Sequence, residues 1–136
     1  SSTDALAYGE LYQWGRGADG HQLRNSTTTN TVSANDNPGN DNFILDGGNY
    51  YSGNPGDWRD PQNINLWQGV SGTNNPCPSG YRLPTAAEWE AERVSWSSSG
   101  PDGAFASPLK LPMAGYRSGF NGAISGAGKH AGRLLE

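Results

Sequence analysis

Leu83-Pro84-Thr85-Ala86-Ala87-Glu88-Trp89 carries the strongest local-structure signal in the chain. The Thr85 hydroxyl can accept from the backbone N–H of Glu88 while the Glu88 carboxylate reaches back to the N–H of Thr85, a reciprocal pair that opens helices. Beyond it, Ala86, Trp89 and Trp96 fall near one face at helical spacing with Arg93 between them. Ser97 to Pro101 then supply a stop. The spacing predicts a helix over 86–96.

After the helix, Leu109-Lys110-Leu111-Pro112-Met113-Ala114-Gly115-Tyr116-Arg117 alternates apolar and other residues and reads as a strand with Leu109, Leu111 and Met113 on one face, Pro112 marking an edge or a bulge. Before the helix, Phe43-Ile44-Leu45 is a short apolar anchor. A second anchor places Ile64 and Leu66 on one side of an extended segment and Trp67 on the other. The run from Tyr8 to Arg16 suits an aromatic strand or the last turn of a helix, and its period does not separate the two. Between these anchors, 17–42 is nearly free of aliphatics and rich in Thr, Ser, Asn and Asp, so it reads as a long irregular excursion built of Asx and Ser/Thr turns. After Arg117 the chain turns Gly-, Ser- and Asn-rich.

A length of 136 residues suits one domain or part of one. Leu, Ile, Val and Phe make up only about 14% of it, below the roughly 20% at which disorder is expected. Against disorder stand a net charge of only −4 and the five Trp, six Tyr and three Phe, which can bury large areas. The expectation is a loop-rich fold with an aromatic core, because 20 Gly and 9 Pro interrupt any long regular element. Nine scattered Lys and Arg offer no basic stripe for a phosphate backbone, which argues against nucleic acid as a partner. No apolar run approaches the roughly 20 residues of a membrane helix, so no membrane insertion is expected. The first residues, Ser1 to Leu6, lack the pattern of a signal peptide. Cys77 stands alone. It reads as a small buried or half-buried hydrophobe, the alternative being a partner cysteine outside this stretch of chain.

Asn75-Pro76-Cys77-Pro78-Ser79-Gly80-Tyr81-Arg82-Leu83-Pro84-Thr85 with Glu88-Trp89, and later Leu111-Pro112-Met113-Ala114-Gly115-Tyr116-Arg117, resemble the Fibrobacter succinogenes major paralogous domain family. Tyr8-Gly9, Tyr12-Gln13-Trp14-Gly15-Arg16, Trp58-Arg59 and Asn65-Leu66-Trp67 also fit its pattern, so the likeness runs from about Tyr8 to Arg117. That family is similar to the C-type-lectin-like and formylglycine-generating-enzyme folds. The resemblance therefore implies an irregular α+β domain with short strands, one or two helices and long ordered loops. It also implies a segment before Tyr8 and a closing stretch after Arg117 with a late cysteine, neither of which is present. The chain is accordingly expected to be a fragment whose sheet edge near 109–116 is uncovered and open to self-association.

For chemistry, one cysteine cannot supply the thiolate pair that formylglycine-type oxidation would use. His21 and His130 lack motif partners and read as exposed loop histidines. Asp57 with Asp60, and Glu88 with Glu92, are better explained by capping, ion pairing and solvation than by paired-carboxylate catalysis. Asp36, Asp41 and Asp46, crowded with Asn37 and Asn40, offer the hard oxygen ligands that calcium prefers, though Asx residues in such loops more often bond to their own backbone. Arg59, Arg82 and Arg117 each follow an aromatic, yet Trp58, Tyr81 and Trp89 read as core. Tyr50 and Tyr51, in a Gly- and Asn-flanked loop, are the candidate ligand platform. The function that results is a non-catalytic binding or adhesion module, extracellular or displayed on a bacterial surface, with a glycan or protein ligand. An architectural repeat without a ligand is the alternative, and an oxidoreductase trails both.

Overall fold

The computed structural model describes residues 1–46 and 56–129. In chain order these form a 3-10 turn (Ala5–Ala7), β1 (Thr28–Thr29), β2 (Phe43–Ile44), α1 (Ala86–Val94), α2 (Pro101–Ala106), β3 (Tyr116–Arg117) and β4 (Ile124–Ser125). The result is a loop-rich mixture of α and β in which β1 pairs β2 in parallel and β3 pairs β4 antiparallel. The chain divides into two compact units, one made of Glu10–Leu83 with Ser118–Ala123 and the other of Ser1–Gly9, Pro84–Arg117 and the chain from Ile124 onward.

In the Glu10–Leu83 unit, regular ladders are replaced by side chains that bond to nearby backbone. Asn35, Asn37, Asn40, Asn63 and Asn75 each accept, through Oδ1, the N–H two residues on, at 3.0–3.1 Å. These Asx turns satisfy backbone groups locally, and so 17–42 can be ordered with only two residues in a strand. The apolar centre is small: Ile44, Trp58 and Leu66 pack together, and Phe43 is buried with them in the sense of being cut off from solvent. Ile64 faces solvent at 68% exposure, which corrects the expectation that it shares a side with Leu66. The extended segment is broken there, because 64–67 runs through turns and Trp67 takes a left-handed φ of 61°. Tyr81 is likewise 70% exposed and not a core residue. Its carbonyl is held by the Asn75 side chain while the ring is left outside.

In the other unit α1 begins with the expected reciprocal cap, Thr85 Oγ1 accepting from Glu88 N–H at 3.2 Å and Glu88 Oε2 from Thr85 N–H at 2.8 Å. The helix ends at Val94, two residues before the predicted stop. It buries no residue fully. Trp89 and Trp96 meet edge to face at 6.1 Å, and the Trp96 indole N–H donates to Glu92 Oε1. Glu90 and Arg93 form a two-bond pair on the exposed face.

Of the strand predicted over 109–117 only its end forms, as β3 at Tyr116–Arg117; 109–113 is not a strand, because α2 ends just before it and Lys110 takes a left-handed φ of 51°. The expectation of an uncovered edge is also corrected. Leu109 and Lys110 N–H groups donate to Ser107, Leu111 N–H to Ala104 C=O, and Met113 N–H to Ser2 C=O at 2.8 Å, while Met113 C=O accepts from Gly128. The Gly-rich tail thus returns as β4 and a partner of Met113. Gly115 makes this return feasible: its φ is 72°, and a Cβ there would lie 2.4 Å from the Ser125 carbonyl oxygen. Among the described residues, no helix is long and apolar enough to cross a membrane.

Candidate functional site

The Glu10–Leu83 unit is organised around a charge. Arg16 is fully buried. Its Nε donates to Asp19 Oδ2 at 2.8 Å, Nη1 to Gln13 Oε1 and the Asn42 carbonyl, and Nη2 to the Asn40 carbonyl. The guanidinium also lies over the Trp58 ring, 5.8 Å from its centroid. A buried cation is tolerable only when its donors are used, and the planar fork of Arg lets four acceptors be met at once. Burial pushes the guanidinium below its ordinary pKa, and the Asp19 hydrogen bond and the charges of Asp19 and Asp41 partly restore it.

Asp19 and His21 complete the network. His21 is fully buried, which overturns the reading of an exposed loop histidine. Its Nε2 accepts from the Gln13 backbone N–H at 3.0 Å, so the ring proton sits on Nδ1 and is donated to Asp19 Oδ1 at 2.7 Å. The spacing of Asp19 and His21 allows this, because the carboxylate also accepts the His21 backbone N–H, as in an Asx turn. Burial alone would raise the Asp19 carboxyl, but hydrogen bonds from the His21 ring and backbone and from Arg16 outweigh it and hold it below its usual value. Both ring nitrogens of His21 are engaged in holding the chain.

Gln13 links this network to the apolar centre. Its side-chain amide donates to the Ile44 carbonyl at 2.8 Å and accepts from the Ile44 N–H at 3.0 Å. It therefore stands in for a strand along the edge of β2 opposite β1, and two buried backbone groups are satisfied by one amide.

Above this frame lies an aromatic surface. Trp67 meets Tyr12 at 6.3 Å and Trp14 at 6.0 Å between ring centroids, and Tyr12 rests edge-on to His21 at 5.8 Å. Trp14 is 37% exposed, Tyr12 and Trp67 less so. The backbone beneath is pinned: the Trp58 indole N–H donates to the Trp14 carbonyl at 2.7 Å, the Trp67 indole N–H to the Arg16 carbonyl, and Asn74 Nδ2 to the Gly15 carbonyl. Gly15 is required here, since its φ is 82° and a Cβ would sit 2.8 Å from Leu66 Cδ1. The Tyr12 hydroxyl donates to Glu10 Oε2 at 3.0 Å, and its pKa is raised by burial first, then by that bond and the charges of Glu10 and Cys77. Cys77 is half-buried. Two stretches noted in the sequence, 12–16 and 65–67, thus supply this surface, and Trp58 of a third supports it from the buried side.

The other candidates fall elsewhere. Tyr50 and Tyr51 lie outside the described residues, as does His130. Asp36 lies 2.8 Å from Arg59 Nε, an ion pair in which the N–H is not aimed at the oxygen, and accepts from Asn63. Asp41 packs beside Gly20, and Asp46 donates its N–H to the Gly119 carbonyl. Among the described residues, no group of three or more His, Cys, Asp or Glu is placed to hold a metal ion. Arg59 turns to Asp36 and the Pro61 carbonyl, so the cation over Trp58 is Arg16. The sequence signal that could have found Arg16 is its position between Trp14-Gly15 and an Asp three residues on, a spacing that suits an ion pair across one turn. Comparison with protein-family models, with curated proteins and with solved structures returns no match.

Proposed function

We propose that the chain is a non-catalytic binding module of a secreted or surface-displayed bacterial protein, related to the Fibrobacter paralogous domains and built on a C-type-lectin-like plan. Its ligand, a glycan or a protein segment, stacks on Tyr12, Trp14 and Trp67. The observation that supports this reading is a partly exposed indole, Trp14, whose backbone is fixed from beneath by a buried Arg16 network and by the Trp58 indole. A pre-organised aromatic surface loses little conformational entropy on binding, and rigid Tyr and Trp side chains contribute much of the contact energy at such surfaces. The engagement of both His21 nitrogens by Asp19 and Gln13 supports a structural role for the histidine.

The test is a glycan-array and peptide-panel screen followed by titration of any hit against Trp14→Ala. Removing a platform aromatic should weaken binding by roughly 2 kcal/mol, about thirtyfold. An unchanged affinity would take the platform out of the reading and return attention to Tyr50 and Tyr51. The architectural alternative is favoured by the exposed Leu109 and Val94 of the other unit, apolar side chains that a larger assembly would cover. It gains if no ligand is found across both panels.

A further inference from the structure

His21 lies beneath the segment that carries the platform, and its Nε2 serves as acceptor for the N–H of Gln13, the residue between Tyr12 and Trp14. We infer that His21 is a proton-operated latch: a proton on Nε2 turns that acceptor into a second donor facing the Gln13 N–H and frees the backbone under Tyr12 and Trp14. The inference rests on the platform reading only for its consequence, which is ligand release in acid. The latch itself is tested without ligand, so either can fail alone.

The asymmetry of the ring's partners makes the segment move while the histidine stays. On the Nδ1 side, Asp19 accepts at 2.7 Å and gains from a positive ring. On the Nε2 side two donors would be left about 3 Å apart in a buried place, which neither can tolerate. Gln13 has no need to leave altogether, because its side chain remains tied to both backbone groups of Ile44 and accepts from Arg16. What rotates is its own peptide group, together with the two aromatics on either side. Among the described residues, the charged and titratable groups around the ring include Asp19, whose carboxylate the ring shares with Arg16, and Tyr12 with Glu10 on its hydroxyl. Asp41 packs on Gly20 and acts on Arg16, and Arg24 follows three residues along the chain.

Long-range proton–nitrogen spectra of the whole chain, recorded through an acid titration, test this. At neutral pH Nδ1 should be protonated and Nε2 bare. As Nε2 gains its proton, the Gln13 amide and the Trp14 and Trp67 indole signals should shift with the same midpoint. Gln13 amide exchange should rise roughly tenfold above its intrinsic pH trend while Ile44 stays protected. His21→Gln keeps an oxygen acceptor that cannot titrate, and the Gln13 step should vanish in it. A ring that titrates while the Gln13 amide stands still would overturn the latch, as would a ring that stays neutral until the chain unfolds. A Gln13 step that persists in His21→Gln would do so too; if that variant fails to fold, the wild-type spectra decide.

Discussion

Arg16 stands where a domain of this size would ordinarily place an aliphatic side chain, and its consequences can be read one substitution at a time. Arg16→Lys keeps the charge but cannot reproduce the fork, so the Asn40 and Asn42 carbonyls or Asp19 lose donors. We expect a loss of about 2–4 kcal/mol in urea unfolding; a change below about 0.5 kcal/mol, the range of an ordinary surface substitution, would show that the buried network carries little. Asp19 sets the acid limb. Its folded pKa lies below the unfolded value of about 3.9. In that window the unfolded state binds more protons, so the contribution is complete above about pH 5 and fades as pH falls through the folded pKa. Asp19→Asn should lower stability at neutral pH and flatten the pH dependence below about 5, a comparison that thermal melts at stepped pH can make.

At the scale of the element, α1 is a helix held by its ends and surface pairs more than by burial. Thr85→Ala should therefore remove about 1 kcal/mol of local stability, seen as faster amide exchange across Ala86–Val94. Equal exchange in both proteins would contradict the role of the cap. This helix was legible because a capping box is a contact between residues three apart. The anchor at Phe43 and Ile44 was legible too, as an apolar run in a polar stretch. Ile64 and the segment 109–113 depart from their patterns for one reason: their conformations are set by left-handed residues at Trp67 and Lys110 and by distant partners such as Ser2. The burial of His21 is not legible in the sequence, because its partners, Asp19 and Gln13, form no motif that spacing alone reveals. The platform is half legible: its aromatics stand out in the sequence, but the Gly- and Asn-flanked pattern points to Tyr50 and Tyr51, which lie outside the described residues.

For the molecule as a whole, two solution measurements bear on partners. With Asp36 already paired to Arg59, and Asp41 and Asp46 in separate surroundings, adding millimolar calcium or a chelator should leave the melting curve in place. A clear rise with calcium would reveal a site by mass action. Because 109–113 finds its backbone partners within the chain, amide protection of Leu111 and Met113 should not vary with protein concentration, and sedimentation should show no association that increases this protection.

The Asx turns bear on how this protein would age. Asn35, Asn37 and Asn121 act through a side-chain oxygen, accepting the N–H of Asn37, Gly39 and Ala123. Direct hydrolysis of the Asn35 and Asn37 amides to carboxylates leaves that oxygen in place, so these two turns would survive it while the chain grew more acidic. Asn121, followed by Gly122, is different: the next backbone nitrogen attacks its side chain most readily, expelling ammonia and closing a cyclic imide whose hydrolysis gives mostly isoaspartate, so this turn would be lost. Asn74 is the opposite case. It works through its nitrogen, donating to the carbonyls of Gly15 and Asp36, and conversion to aspartate would put repulsion where two donor bonds had been. Old preparations should thus split into charge variants that still fold, and any that lose the aromatic surface should carry their damage at Asn74.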